Sequence, residues 1–261
     1  MLRTRVWTAA AIVPAILAAT LFSNPTLFSY FIGALAGWGL QEIASVRRAS
    51  TAYDFITIFG VGGLLAALAL DGFEIGGWLP VLVAAAMTAI VARVGFFGSD
   101  RPVKDGLLNL IGAVYVGGLF PYFALLRNRP HGVAAMILML ALVIASDSGA
   151  YFAGRSLGRI KLLPRVSPNK TVEGALGGLV AAAIVGSAIG PWLAPSLNFL
   201  QVLVFSSIIA GLAQLGDLAG SAYKRVCGVK DFGWIFPGHG GLLDRACSLV
   251  FAAAFTYYRM Q

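Results

Sequence analysis

The sequence predicts an all-α fold, a polytopic membrane bundle of about nine transmembrane helices, and three observations carry that prediction. Hydrophobic residues make up 59% of the 261 residues and charged residues only 11%, whereas a soluble domain is roughly a quarter charged. The mean hydropathy is +0.84. The Lys and Arg residues also fall almost entirely on one side of the successive apolar stretches.

A helix needs about 20 apolar residues to cross the hydrocarbon core. Stretches of that kind fall at approximately 6–22, 27–46, 53–70, 78–98, 106–126, 132–153, 172–194, 199–224 and 242–259. The first follows Arg3 and Arg5 and reads as an uncleaved first helix, because further spans follow it. The second and third are the most interrupted, by Glu42 and by Gly60–Gly63. The sixth carries Asp147, the eighth Asp217, and the ninth opens on Asp244. Residues 1–130 hold about five N-terminal helices; residues 131–261 hold the C-terminal helices and a catalytic cavity.

With the N-terminus inside, only Arg127, Arg129 and Arg259 of the 19 Lys and Arg residues fall on the outer side. The 71–77 loop, with Asp71 and Glu74 and no base, also falls outside. An odd number of spans, N-in and C-out, satisfies the positive-inside rule. The net charge of +8 then gathers on the inner face, where anionic headgroups attract it. Basic residues set between membrane spans argue for lipid partners and against nucleic acid.

Glycine is abundant, at 32 residues, and in lipid small residues let helices approach closely. Such faces would also allow a homodimer. Two cysteines, Cys227 and Cys247, build no disulfide framework, and with His131 and His239 they match no zinc-ligand spacing.

An ionisable residue inside a span costs several kcal/mol unless it faces a polar cavity or a partner. Asp147, Asp217 and Asp244 all lie toward the inner face and can converge on one pocket. Asp217, Ser221 and Lys224 follow i, i+4, i+7 spacing and so share a helix face. The inner loop from Gly154 to Gly174 carries five cations before Thr171, with Ser167 and Thr171 leading into a helix start near Val172, where free amides favour an anion. Its Lys and Arg residues, Lys170 among them, suit a polyanionic ligand. A second inner loop runs from Lys224-Arg225 through Lys230-Asp231 to Gly238, His239, Gly240 and Gly241, then Asp244-Arg245. Its glycines admit backbone close to a ligand. Hard oxygen donors among cations suit Mg2+ and phosphates, and hence phosphoryl or nucleotidyl transfer. A phosphate nucleophile is already ionised near neutral pH, so His239 fits a donor role better than that of a base.

The run from Ser221 through Lys224-Arg225, Lys230-Asp231 and Pro237-Gly238-His239-Gly240-Gly241 to Asp244-Arg245 closely resembles the signature of the phosphatidate cytidylyltransferase family. Ser146 to Arg155 and Ser167 to Gly174 resemble two further blocks, so the likeness covers roughly residues 140–250. It implies transfer of CMP from CTP to phosphatidic acid, giving CDP-diacylglycerol and pyrophosphate. It also implies Mg2+, with a monovalent cation such as K+ beside it. By that resemblance Asp217 and Asp244 are metal ligands, and Lys170, Lys224, Arg225 and Lys230 hold phosphates. Asp231, His239 and Arg245 order the loop or bind nucleotide, and Asp147 and Tyr151 line the cavity. The setting implied is a bacterial inner membrane with the site facing the cytoplasm.

The chain departs from that pattern twice. Cys247 stands where the family usually has a second Asp, and Gly220 stands where it usually has Glu. Two other readings compete: a CTP-dependent transferase acting on another lipid phosphate, of ether-lipid type, and an ion-coupled transporter. The transporter reading expects matching polar features in the two halves, and the first half offers none.

Overall fold

A computed structural model describes residues 18, 20, 21, 23–49, 52–70, 102–235 and 240–260. Helix α1 (Pro25–Val46) begins at Asn24, whose side chain accepts from the Leu27 backbone N–H at 2.7 Å, with Pro25 pre-set for the first turn. A short helix α2 (Ala52–Phe55) passes through a π-helical turn (Ile56–Val61) into α3 (Gly62–Leu70). Then come α4 (Pro102–Leu119) and α5 (Pro121–Arg127), broken apart at Pro121, which lacks the N–H to continue the ladder. The C-terminal part holds α6 (Gly132–Ser156), α7 (Val172–Leu193), α8 (Phe199–Val226) and α9 (Leu243–Arg259).

The molecule is a mostly helical bundle. Among the described residues four helical runs are long and apolar enough to cross a membrane: Asp105–Arg127, Gly132–Ser156, Val172–Leu193 and Phe199–Val226. The expected spans at 6–22 and 78–98 lie wholly or almost wholly outside the described residues. The expected span at 53–70 is a helical run with a π segment, and the one at 242–259 is the 17-residue α9.

The stretch 154–171, read from sequence as a polar loop, contains the one departure from all-α among the described residues. Helix α6 continues to Ser156, and strands β1 (Lys161–Leu163) and β2 (Ser167–Thr171) then form an antiparallel hairpin, pairing Lys161 with Thr171 and Leu163 with Ser167. Pro164 and Pro168 disfavour helix here, and Pro168 has no N–H for the ladder, whose register is irregular. The base is closed by Val172 N–H donating to Ile160 O at 2.9 Å and Ile160 N–H donating to Glu173 Oε1 at 3.1 Å.

Helices α6 and α7 meet backbone to backbone through small residues. A Cβ added at Gly149 would lie 2.7 Å from Gly177 O, and one at Gly178 would lie 2.8 Å from Ser146 O. The buried positions of α7 recur every fourth residue, Gly174, Gly178, Ala182, Gly186 and Gly190, which forms a smooth ridge. The main core joins Met136, Met139 and Leu142 of α6, Ile209 and Ala213 of α8, and Val250 and Ala253 of α9. Ile43 of α1 and Phe120 belong to the same buried cluster, so the N-terminal helices pack directly on the C-terminal ones.

Candidate active site

Three local devices bring the site residues together. Thr171 caps α7, its Oγ1 accepting from Gly174 N–H at 3.1 Å, and this fixes Lys170 at the edge of the hairpin. The close α6–α7 contact then sets that edge beside the C-terminal end of α6. Helix α8, begun by a capping box of Asn198 and Gln201, carries Asp217 near the same level. Gln214, one turn before Asp217, donates to Ala175 O at 3.1 Å and so ties α8 to α7.

These elements enclose a cavity of about 960 Å³. Asp147, Tyr151, Lys170, Thr171, Asp217, Asp244 and Arg245 line it, together with Arg155, Asn169 and Gln214. Its other wall is apolar, with Ile137, Leu140, Ala141 and Ile144 from α6 and Leu249 from α9. Along α6 the positions 137, 141, 144, 147 and 151 follow one helical stripe that runs from apolar to polar.

Each carboxylate expected to hold metal is matched with a lysine. Lys170 Nζ stands 2.7 Å from Asp217 Oδ2, in a pair whose side chains are 27% and 44% exposed. Lys224 Nζ stands 2.5 Å from Asp244 Oδ1, and that pair is deep, with side chains 13% and 3% exposed. Asp244 Oδ2 also accepts from Phe232 N–H at 2.8 Å and Gly241 N–H at 2.9 Å. Lys224 lies over the Phe232 ring, 5.2 Å from its centroid. Asp244 is thus both a cavity wall and the tie that holds Phe232 and Gly241 to the start of α9.

Gly240 has φ +82, and a Cβ there would sit 2.7 Å from Asp244 Oδ2, so the position requires glycine on both counts. Arg225 is exposed and reaches Val229 O at 3.1 Å, which bridges the start of the same loop. Ser221 shares a face of α8 with Asp217 but is not part of the cavity lining, and neither are Ser167, Lys230 and Asp231. Lys230 and Asp231 are exposed on the loop surface. Gly238 and His239 lie outside the described residues.

Arg155, one of the five loop cations, lines the cavity and donates to Tyr151 Oη at 3.0 Å, and two further lining residues, Asn169 and Gln214, carried no sequence-based assignment. Asn169 sits inside the Ser167–Gly174 block, and Gln214 lies one helical turn before Asp217. The two departures from the family pattern face each other. A Cβ at Gly220 would collide with Cys247 Sγ, and Cys247 is buried at 2% exposed. The two substitutions therefore form one packed contact in place of two acids.

Among the described residues no thiol or imidazole lines the cavity, its metal-binding donors are carboxylate oxygens, and no three of His, Cys, Asp and Glu cluster as a closed metal site. Two carboxylates supply part of a hard cation's shell and leave the rest to phosphate oxygens and water, which suits magnesium. Fold and site together define a membrane-embedded enzyme class with an acidic and cationic pocket opening onto an apolar wall. The chain matches the cytidylyltransferase family over residues 3–261 and belongs to it. Among curated relatives, the phosphatidate cytidylyltransferase of Staphylococcus epidermidis is 33% identical over 233 residues, covering 86% of this chain and 85% of that protein. That of Brucella suis is 36% identical over 235 residues, covering 89% of this chain and 82% of its own length. The phosphatidate cytidylyltransferase of Bacillus subtilis is 41% identical over 149 residues, an alignment spanning 57% of this chain and 55% of that relative.

Proposed function

We propose that this chain is a phosphatidate cytidylyltransferase that joins CMP from CTP to phosphatidic acid and releases pyrophosphate. The observation that carries the reading is the single cavity in which Asp147, Asp217, Asp244, Lys170 and Arg245 meet an apolar wall on α6. A soluble triphosphate needs the first part and a diacyl lipid phosphate needs both.

In the reaction a phosphate oxygen of phosphatidic acid attacks the α-phosphorus of CTP. The new P–O bond forms as the bond to the bridging oxygen breaks, and pyrophosphate carries away the electron pair. The nucleophile is already an anion, so no side chain has to remove a proton. Asp217 and Asp244 are the residues that would hold magnesium, which when bound neutralises charge on the phosphate oxygens. Lys170 and Lys224 neutralise those carboxylates in the absence of ligand; Lys170 lines the cavity and has a phosphate to turn to when the nucleotide arrives, whereas Lys224 is not part of the lining and stays with Asp244. Arg155 and Arg245 line the same wall and suit the remaining phosphate oxygens. The stripe from Ile137 to Ile144 takes the first methylenes of an acyl chain.

The chain spans an inner bacterial membrane about nine times, N-in and C-out, with the cavity on the cytoplasmic side where CTP is available. The bias of Lys and Arg supports that orientation. The direct test is formation of CDP-diacylglycerol from labelled CTP by purified protein in mixed micelles, with phosphatidic acid set against an ether-linked lipid phosphate. Product with phosphatidic acid at a rate well above the ether lipid supports the reading. The opposite preference moves the enzyme to the other lipid class.

A further inference from the structure

We infer that Glu42 is a positioning residue of the reaction, a carboxylate from the N-terminal half that sets the turn on which Asp244 stands. Glu42 lies on α1 and is 4% exposed. Its two oxygens each take one backbone N–H from a point some 200 residues away: Oε1 accepts from Leu242 at 2.7 Å, and Oε2 accepts from Leu243 at 2.9 Å.

Those two N–H groups belong to the start of α9, where they have no partner within the helix. Leu242 occupies the N-cap position with helical dihedrals and supplies no side-chain cap. Glu42 therefore caps α9 in trans, with the negative charge that a helix N-terminus favours. The loop is shaped around it. A Cβ at Gly241 would come 2.5 Å from Glu42 Oε1, and one at Gly233 would come 2.6 Å from it. Asp244 is held by the neighbours of these same contacts, through Gly241 N–H and Phe232 N–H. The chain of support runs from Glu42 to the 241–243 turn and from that turn to the Asp244 carboxylate. Glu42 does not line the cavity, so it acts through Asp244.

The inference rests on the reading of Asp244 as the group that meets magnesium. Supporting residues around metal ligands are worth about 10–100-fold in metal affinity or activity. In Glu42→Gln and Glu42→Ala the magnesium concentration giving half-maximal turnover rises at least about tenfold, while KM for phosphatidic acid stays within about twofold. A second readout needs no turnover. In a Cys227→Ser background the thiol of Cys247, one turn beyond Asp244 and 2% exposed, reacts with a maleimide at least about tenfold faster once Glu42 is changed. Leu40→Ala, a 5% exposed neighbour on α1 that packs on Gly62, is the control for general loosening.

A raised magnesium midpoint and faster Cys247 labelling in the Glu42 variants, with neither in Leu40→Ala, support the inference. An unchanged midpoint in Glu42→Gln, or the same shift in Leu40→Ala, overturns it. Should Glu42→Ala fail to fold, Glu42→Gln keeps one acceptor oxygen and decides the matter. An unchanged midpoint in Asp244→Asn overturns the reading of Asp244 instead, and the positioning role then stands or falls by the Cys247 labelling.

Discussion

Lys224 and Asp244 are the most deeply placed ion pair of the site, and their coupling can be worked out from the geometry. Their side chains are 13% and 3% exposed at a separation of 2.5 Å. Removing one partner of a buried pair costs about 3–5 kcal/mol, because the other charge stays desolvated. Lys224→Met leaves the Asp244 anion with two backbone N–H donors, and Asp244→Asn leaves an ammonium facing a neutral amide. The double variant Lys224→Met/Asp244→Asn removes both charges, and the amide oxygen still accepts from Phe232 and Gly241. Its loss is therefore smaller than the sum of the two singles by about 2–3 kcal/mol. Equilibrium unfolding by SDS titration in mixed micelles, followed by tryptophan fluorescence, measures all three variants. Losses that add to within about 0.5 kcal/mol would refute the reasoning, since they would mean the two charges are solvated independently.

Three further outcomes follow from other parts of the site. Lys170→Ala lowers turnover by about 100-fold or more while shifting stability by less than about 1 kcal/mol, because the Lys170–Asp217 pair is partly exposed, at 27% and 44%; pyrophosphate release and thermal unfolding check the two halves of that statement. Thr171→Val costs about 1 kcal/mol through loss of the α7 cap, and Thr171→Ser restores it, as read from the same unfolding experiment. Gly149→Leu forces apart the α6–α7 contact and removes both folding yield and activity, whereas Gly211→Ala, which meets nothing within 4 Å, leaves the yield unchanged in a fluorescence size-exclusion assay.

Much of the bundle is legible in the sequence because lipid imposes a simple rule. Helices over 132–156, 172–193 and 199–226 stand close to the stretches expected from apolar length, and Thr171 and Asn198 mark two of their starts with caps. The hairpin over 161–171 left no such signal, since strands of three and five residues containing Pro168 have too little alternation to read. Asp147, Asp217 and Asp244 drew attention because charge is expensive in a span, and all three line one cavity. Helix spacing put Ser221 on the face of Asp217, but spacing does not say what stands opposite, and the cavity wall there ends before Ser221. Lys230 and Asp231 belong to a motif without facing the cavity, because a motif fixes sequence neighbours and not directions. Glu42 read from sequence only as an interruption of a span. Its partners lie 200 residues away as backbone N–H groups, which no pattern of side chains encodes. The contact between Gly220 and Cys247 is likewise a matter of facing helices, α8 against α9.

The central claim is that this cavity makes CDP-diacylglycerol, and pyrophosphate release by purified wild-type protein and Asp217→Asn tests it most directly. Asp217 is the better probe than Asp244, because its side chain is 44% exposed and its loss leaves the loop and α9 in place. The expected result is release that requires CTP, phosphatidic acid and magnesium together, and that falls by about 100-fold or more in Asp217→Asn while the thermal unfolding midpoint stays unchanged. Release that persists in a folded Asp217→Asn, or that proceeds without phosphatidic acid, would contradict the account.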